Sequence, residues 1–253
     1  MAKASGLGDA LYIAGYNASG DIQQLGTIGG GPALLNVTGI DKSAYERIGG
    51  LRSGQIEFTA FFNHDGVTPA THEKLSALPR SDVILTYCRG TTLGNPAASL
   101  VGKQVNYDPT RGDDGMLTFA VSAQSNGYGI EWGRLMTAGI RTDTGATNGT
   151  SVDFGTGSTA FGLQAYLHVF SFTGTDVTIS LEESSDNGGS DAFAAVTGGS
   201  FTEVTAGPTS ERIATAAGQT VERYLRVVTA TTGGFSDLQF AVMVVRNATA
   251  VTF

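Results

Sequence analysis

Runs of basic residues are the first feature this sequence lacks. Its 253 residues hold 15 Lys and Arg against 23 Asp and Glu, a net charge of −8, and no Lys/Arg cluster occurs anywhere. Proteins that grip nucleic acid neutralise its phosphates with clustered cations. The composition therefore excludes this class, but not a protein past which nucleic acid slides without sticking.

Cysteine and long apolar runs are also scarce. Cys88 is the single cysteine, so an intramolecular disulfide is excluded, and its strand-like surroundings predict a small buried residue. The longest apolar runs, such as residues 240–245, are far shorter than the roughly 20 residues of a membrane helix. We expect no secretory signal, no membrane insertion and folding in a reducing cytosol.

Catalytic motifs are missing as well. The histidines His64, His72 and His168 form no metal-ligand spacing with Cys88. No nucleophile elbow or phosphate-binding loop is present, and the glycines of residues 26–31 favour a tight turn. We therefore expect no enzyme activity, no catalytic residue, no cofactor and no metal site.

Two acidic clusters leave one alternative open. Residues 113–114 and 182–191 carry carboxylates, the second cluster through Glu182, Glu183, Asp186 and Asp191. Oxygen donors of this kind suit Ca²⁺, but neither cluster has the spacing of an EF-hand loop. Solvated loops are the favoured interpretation, and calcium binding stays open.

Alternating polarity marks two strands clearly. In residues 55–62 the side chains of Ile56, Phe58, Ala60 and Phe62 fall on one face, and Gln55, Glu57 and Thr59 fall on the other. In residues 116–123, Leu117, Phe119 and Val121 alternate with Thr118, Ala120 and Ser122. Both patterns predict half-buried strands of an antiparallel sheet.

One helix is predicted between these strands. Thr68 suits the N-cap, Pro69 suits the first helical position, and Pro79 ends the segment. Leu75 and Leu78 are spaced to face the core.

The composition changes near residues 143–151. Residues 1–150 hold 11 basic and 13 acidic residues, whereas residues 151–253 hold 4 and 10. From residue 152 onward the pattern is one of short strands, which predicts a β-sandwich or jelly roll; these strands are 162–172, 176–182, 193–196, 222–228 and 238–245. We therefore predict domains at 1–146 and 152–253, joined by a linker of Thr147, Asn148, Gly149, Thr150 and Ser151.

Several segments together resemble a known family. The chain looks like a major tail protein, the tail tube subunit of long-tailed, non-contractile bacteriophages, of the kind found in phages of actinobacteria. The matching segments are residues 54–63, 93–98 with Lys103 and Gln104, 108–115, 128–133, 141–153, 172–180 and 224–229.

The resemblance implies a mainly β protein. It implies an N-terminal tail tube domain of two packed antiparallel sheets with one flanking α-helix, followed by a C-terminal β-sandwich or jelly-roll domain that projects outward. Six copies would form a ring, and stacked rings would form a hollow tube in the virion tail whose inner wall is a continuous barrel of strands. Pairing between subunits would also remove exposed sheet edges.

A DNA conduit needs a lumen without cation clusters. We therefore predict that Gln55, Glu57, Thr59, Thr118, Ala120 and Ser122 line the lumen. The expected partners are further copies of the chain, other tail proteins such as the tape measure protein, double-stranded DNA in transit without sequence-specific binding, and a host-surface glycan at the C-terminal domain. The alternative is a phage decoration or adhesin-type protein that displays its β-sandwich to the host surface.

Overall fold

Strands make up nearly all regular structure in the computed structural model, which describes residues 5–64, 71–78, 80–155 and 157–250. The expected mainly β fold is confirmed. In chain order the elements are β1 (Ala10–Ile13), β2 (Tyr16–Asn17), β3 (Ile22–Asn36), β4 (Arg47–Phe61), α1 (Thr71–Leu75), β5 (Val83–Cys88), β6 (Pro96–Gln104), β7 (Asp108–Arg111), β8 (Leu117–Ser125), β9 (Glu131–Leu135), β10 (Arg141–Asp143), β11 (Val152–Asp153), β12 (Leu163–Gly174), β13 (Thr178–Ser184), β14 (Ala194–Ser200), β15 (Thr209–Ala214), β16 (Tyr224–Ala230) and β17 (Phe235–Arg246).

The chain divides into two compact units. Unit 1 comprises Met1–Gly20, Ile84–Ser99 and Glu131–Phe253, and unit 2 comprises Asp21–Val83 and Leu100–Ile130. These units do not coincide with the predicted domains, because β9 and β10, which precede the predicted linker, pair with β17, which follows it. Whether residues 1–146 and 152–253 fold as independent domains stays a prediction.

Unit 1 is built as two sheets with an apolar core. One sheet has the strand order β15-β12-β17-β9-β6-β5-β1-β2, and the other has the order β11-β16-β13-β14. Alternate residues of β12 and β17 are fully buried with residues of β13 and β16, namely Leu163, Ala165, Leu167, Val169, Leu238, Phe240, Val242, Val244, Ile179, Leu181, Leu225 and Val227. Alternate residues that face one cluster are what a sandwich core requires. The intervening Gln164, Tyr166 and His168 of β12 are also buried, so this strand is covered on both of its faces.

The strands predicted after residue 152 match this unit closely. All five overlap observed strands, which are β12, β13, β14, β16 and β17. The short strands β11 and β15 were not predicted. Neither has an apolar alternation long enough to stand out from the surrounding Thr and Gly residues.

Unit 2 is organised around a long hairpin. Strands β3 and β4 have 15 residues each and pair antiparallel from Ile22↔Ala60 to Asn36↔Arg47. Strand β8 pairs with the inner half of β4, and on its other side it pairs with β7 and with residues 102–104 of β6.

The helix of unit 2 is shorter than predicted. It covers Thr71–Leu75, and the predicted Thr68, Pro69 and Pro79 lie outside the described residues. Leu75 is buried as expected, but Leu78 is 44% exposed. Leu78 follows the end of the helix and has a φ of 42°, so its side chain no longer continues the helical face.

Candidate functional site: a polar face on strands β4 and β8

The register of β4 and β8 brings the six predicted lumen residues onto one face. Glu57 lies opposite Ser122, and Thr59 lies opposite Ala120. Thr118 lies opposite Phe61, and Gln55 lies opposite Gln124. Directly opposed residues in an antiparallel pair project to the same side. The structure thus assembles one polar face from two segments that are about 60 residues apart in sequence.

The other side of the same two strands is apolar and buried. Ile56 lies opposite Ala123, Phe58 opposite Val121, and Ala60 opposite Phe119. All six side chains are buried. Burial of one face fixes the orientation of the other, because a slip of one residue would turn the apolar set outward. Phe62, predicted to share the buried face, lies beyond the end of β4 and is exposed.

A shallow open concavity of about 280 Å³ lies over this polar face. Its lining includes four predicted residues, Glu57, Thr59, Ala120 and Ser122, together with Gln24, Gly26 and Asn106. Glu57 carries the only charge among the lining residues, and it is negative. The concavity can accommodate solvent and offers a sliding polyanion no cation to hold it.

Two features position this surface. The backbone N–H of Ser122 donates to the Asn106 side-chain oxygen at 2.7 Å, which holds the segment after β6 against β8. Gly26 lies so close to β4 that a Cβ there would come within 3.1 Å of the Glu57 Cβ. The glycine therefore permits β3 to pass close to the polar face.

Gln24 and Asn106 also line this surface, although no sequence pattern predicted them. Gln24 lies on β3, which has no regular alternation of apolar and polar residues and was not predicted as a strand. Asn106 follows the end of β6. Its amide gives no signal in the sequence that separates it from an ordinary loop residue.

The predicted linker residues lie beside strand β16. Thr147 and Thr229 exchange both backbone hydrogen bonds, at 3.2 and 3.0 Å, and the Gly149 N–H donates to the Val227 carbonyl at 2.8 Å. Asn148 forms an isolated antiparallel bridge with Val228. Thr150 is exposed and Ser151 half-buried. Residues 147–149 therefore run as a paired edge segment of unit 1.

Two buried titratable groups of unit 1, His168 and Cys88, have strongly shifted pKa values. His168 is buried between Gly15 and Thr86: its Nδ1 accepts from the Gly15 N–H at 3.2 Å, and its Nε2 lies 2.8 Å from the Thr86 hydroxyl. Burial lowers the pKa of His168 to about 3 and raises the pKa of the Cys88 thiol to about 12. At neutral pH the first is therefore a neutral imidazole and the second an unreactive thiol.

The acidic loop of residues 182–191 is organised by its own backbone. Asp186 accepts hydrogen bonds from the N–H groups of Gly189, Ser190 and Asp191, and these lower the pKa of its carboxyl. The side chain of Glu182 instead pairs with Arg226. In the described part of the chain, no group of three or more His, Cys, Asp or Glu side chains is placed to ligate a metal ion.

The histidines of unit 2 lie near the short helix. His72 Nδ1 is 2.7 Å from the Tyr107 hydroxyl, and His64 contacts the carboxylate of Glu73.

None of the helical segments among the described residues has the length and apolar character of a membrane span.

Comparison with known proteins gives no family assignment. No protein-family model matches the chain, and no curated protein matches it in sequence. Among solved structures, one similar chain is the Dit protein of phage SPP1, described as a paradigm of the hub adsorption apparatus in phages infecting Gram-positive bacteria. The two chains are 13% identical, with a TM-score of 0.32. The comparison covers 94% of this chain and 99% of the Dit chain.

Two further similar chains come from phage p2 baseplates in the activated conformation. The one with Sr is 10% identical with a TM-score of 0.37, and the one with Ca is 13% identical with a TM-score of 0.30. Each comparison covers 94% of this chain and 98% of the other. Similarity at these scores does not establish a common fold.

Proposed function

We propose that the chain is a structural virion protein, a self-assembling subunit of a phage tail tube. The observation that carries the proposal is the polar face of β4 and β8. Six residues predicted to line a lumen fall on one side of one strand pair, and Glu57 is the only charged member. The resemblance of the sequence to major tail proteins points in the same direction.

The chemistry of this face suits a DNA conduit. Double-stranded DNA carries one negative charge per roughly 1.7 Å of its axis, so a cationic wall would hold it by releasing counterions. Thr59, Thr118 and Ser122 offer hydroxyls that water can solvate, and Ala120 offers no polar group. Copies of Glu57 around a ring would add a weak negative potential that keeps DNA away from the wall.

The oligomeric state and the partners belong to the proposal. In keeping with the family resemblance, six copies would form a ring and rings would stack. Other tail proteins, such as the tape measure protein, would be further partners, and DNA would cross the lumen without sequence-specific contacts. A host-surface glycan at the sandwich of unit 1 would be an additional contact.

Electron microscopy of the purified protein tests the assembly. Stacked rings or tubes about ten nanometres wide support the proposal, since six domains of this size surround a bore about as wide as DNA. Discrete monomers or trimers favour the alternative, a decoration or adhesin-type protein. A cryo-EM map that placed the polar face of β4 and β8 on the outer surface of the tube would overturn the lumen assignment.

Cysteine accessibility tests the same assignment chemically. Ala120→Cys places a thiol on the polar face, and Thr205→Cys places one at an exposed site on unit 1. A maleimide carrying a polymer wider than the bore should label both variants in unassembled protein, but only Thr205→Cys after assembly. Labelling of Ala120→Cys at an unchanged rate in tubes would contradict an inward-facing surface.

A further inference from the structure

The outer half of the β3–β4 hairpin carries apolar side chains that no part of the described chain covers. We define the outer ribbon as residues 31–53, from the Gly31↔Ser53 pair to the connection between the strands. Every residue in it except Thr38 and Gly50 is exposed. Seven of its exposed side chains are large and hydrophobic: Leu34, Leu35, Val37, Ile40, Tyr45, Ile48 and Leu51.

Two of these side chains form a defined patch. Leu35 lies directly opposite Ile48, so both project from the same face of the ribbon. The neighbouring Gly50 has no side chain, and a Cβ there would come within 3.2 Å of the Leu35 Cγ. The result is an exposed apolar surface on a pair of strands. An isolated two-stranded ribbon is marginally stable in water, so such a surface calls for a covering partner.

The ribbon also has an open edge. Strand β3 pairs with β4 on one side, and in the described residues no strand pairs with its other side. An unpaired edge of this length offers backbone N–H and C=O groups to a strand from another chain. Apolar side chains and free backbone groups on the same element favour a protein partner over a small ligand.

Charge complementarity favours a second copy of this chain as that partner. The outer ribbon contains Lys42, Arg47 and Arg52 against Asp41 and Glu46, a net charge of +1. The whole chain has a net charge of −8, so the rest of it has a net charge of −9. Docking of the ribbon on another copy therefore brings a weakly positive element against a strongly acidic protein surface. A membrane surface would instead call for a cluster of cations, which the ribbon lacks.

We propose that the outer ribbon docks on a second copy of the chain, through the Leu35–Ile48 patch and the open edge of β3. This contact would hold neighbouring subunits together, and in that respect it rests on the proposed tube function. The contact requires no change in the polar face of β4 and β8. The ribbon contact and the polar face of β4 and β8 can therefore be tested independently.

Matched substitutions test the patch. The double variant Leu35→Thr/Ile48→Thr places β-branched residues, which suit strands, at both positions and removes the apolar surface. Val105→Thr is the control, because Val105 is exposed to the same extent as Ile48, 52%, and lies outside the ribbon. We expect the double variant to raise the protein concentration at which half of the chains are assembled by roughly tenfold or more. The control should change this concentration by less than about twofold. Sedimentation velocity over a concentration series measures both, and thermal unfolding checks that each variant is folded.

The outcomes separate the inference from the proposed function. Tubes formed equally by the wild type and the double variant overturn the ribbon contact and leave the tube function standing. Discrete oligomers that depend on the ribbon support the contact and count against a tube. A wild-type protein that stays monomeric at every concentration overturns the contact.

Crosslinking identifies the occupant. Ile40→Cys places a thiol at the fully exposed tip of the ribbon, while the native Cys88 is buried. A photoactivatable maleimide on this thiol should, in a mixture of isotopically light and heavy chains, give crosslinked peptides that combine both isotopes. Crosslinks found only within one chain would overturn the proposal.

Discussion

Acid should destabilise this protein through a single buried histidine. The pKa of His168 is about 3 in the folded chain and 6.5 in its ordinary state, and the cause is burial. Geometry explains why the proton is excluded. The Gly15 N–H points at Nδ1, so protonation there would set two donors against each other, and Thr86 and Ser99 continue the network on the other side of the ring.

The sign and size of the effect follow from proton linkage. Because the folded-state pKa lies below the unfolded value, the unfolded chain binds more protons between pH 3 and 6.5. Stability is therefore fully present above pH 6.5 and falls as the pH drops. Between pH 7.5 and pH 5 the loss should be about 2 kcal/mol in the free energy of unfolding. Asp82, Asp176 and Asp186 contribute little, since their pKa values are lowered from an ordinary value that already lies below this window. Burial raises the pKa of Glu183, which acts in the opposite direction, so the difference between the wild type and His168→Gln isolates the contribution of the histidine.

Urea denaturation at pH 7.5, 6 and 5 measures the loss. His168→Gln should be less stable at neutral pH because its side chain cannot reproduce both ring contacts, but its stability should vary much less over this range. His64→Gln is the control, since His64 is exposed and lies in unit 2. Wild-type stability that is unchanged at pH 5, or a His168→Gln variant that keeps the full pH dependence, would refute a role of His168 in acid sensitivity.

Three further predictions concern unit 1. A fragment of residues 1–146 should lack a cooperative unfolding transition, because β9 and β10 lose their partner β17. This loss would expose Leu135 and Met136, which are 0% and 2% exposed in the whole chain. Cooperative melting of the fragment, followed by circular dichroism, would instead favour an independent N-terminal domain. Arg212→Met should lower the free energy of unfolding by about 3–5 kcal/mol, because it leaves the buried Glu131 carboxylate without its ion pair. The double variant Arg212→Met/Glu131→Gln should recover part of that loss, and chemical denaturation measures both. A loss below about 1 kcal/mol for the single variant would show that the pair is dispensable. Cys88 should resist thiol reagents in the folded protein and react on unfolding, since it is buried with a raised pKa; rapid labelling under native conditions would contradict its burial.

The parts of the site that could be predicted are those with a strict two-residue period. Residues 55–60 and 117–123 alternate between apolar and polar side chains, and burial of one face is enough to orient the other. No such pattern exists in β3, where Gly29, Gly30 and Gly31 interrupt the apolar residues. The strand forms because β4 pairs with it over its whole length, and pairing partners cannot be read from one strand alone.

The glycine, threonine and asparagine content of residues 143–151 predicted a linker, and here too the pairing partners could not be read from the segment alone. Small polar residues are typical of linkers and equally of edge segments that pair through their backbone. Composition does not show which backbone groups find partners. In this chain Thr147 and Gly149 pair with β16.

By itself, the sequence determined the mainly β class, most strands of the sandwich, and which side of β4 and β8 is polar. These features depend on the side-chain periodicity and charge of short segments, which are local properties. The tertiary structure decided that the two polar strand faces meet, that β10 and residues 147–149 join strands from the end of the chain, and that the outer ribbon is left uncovered. These features depend on hydrogen bonds and contacts between residues far apart in sequence, and only the folded chain brings such residues together.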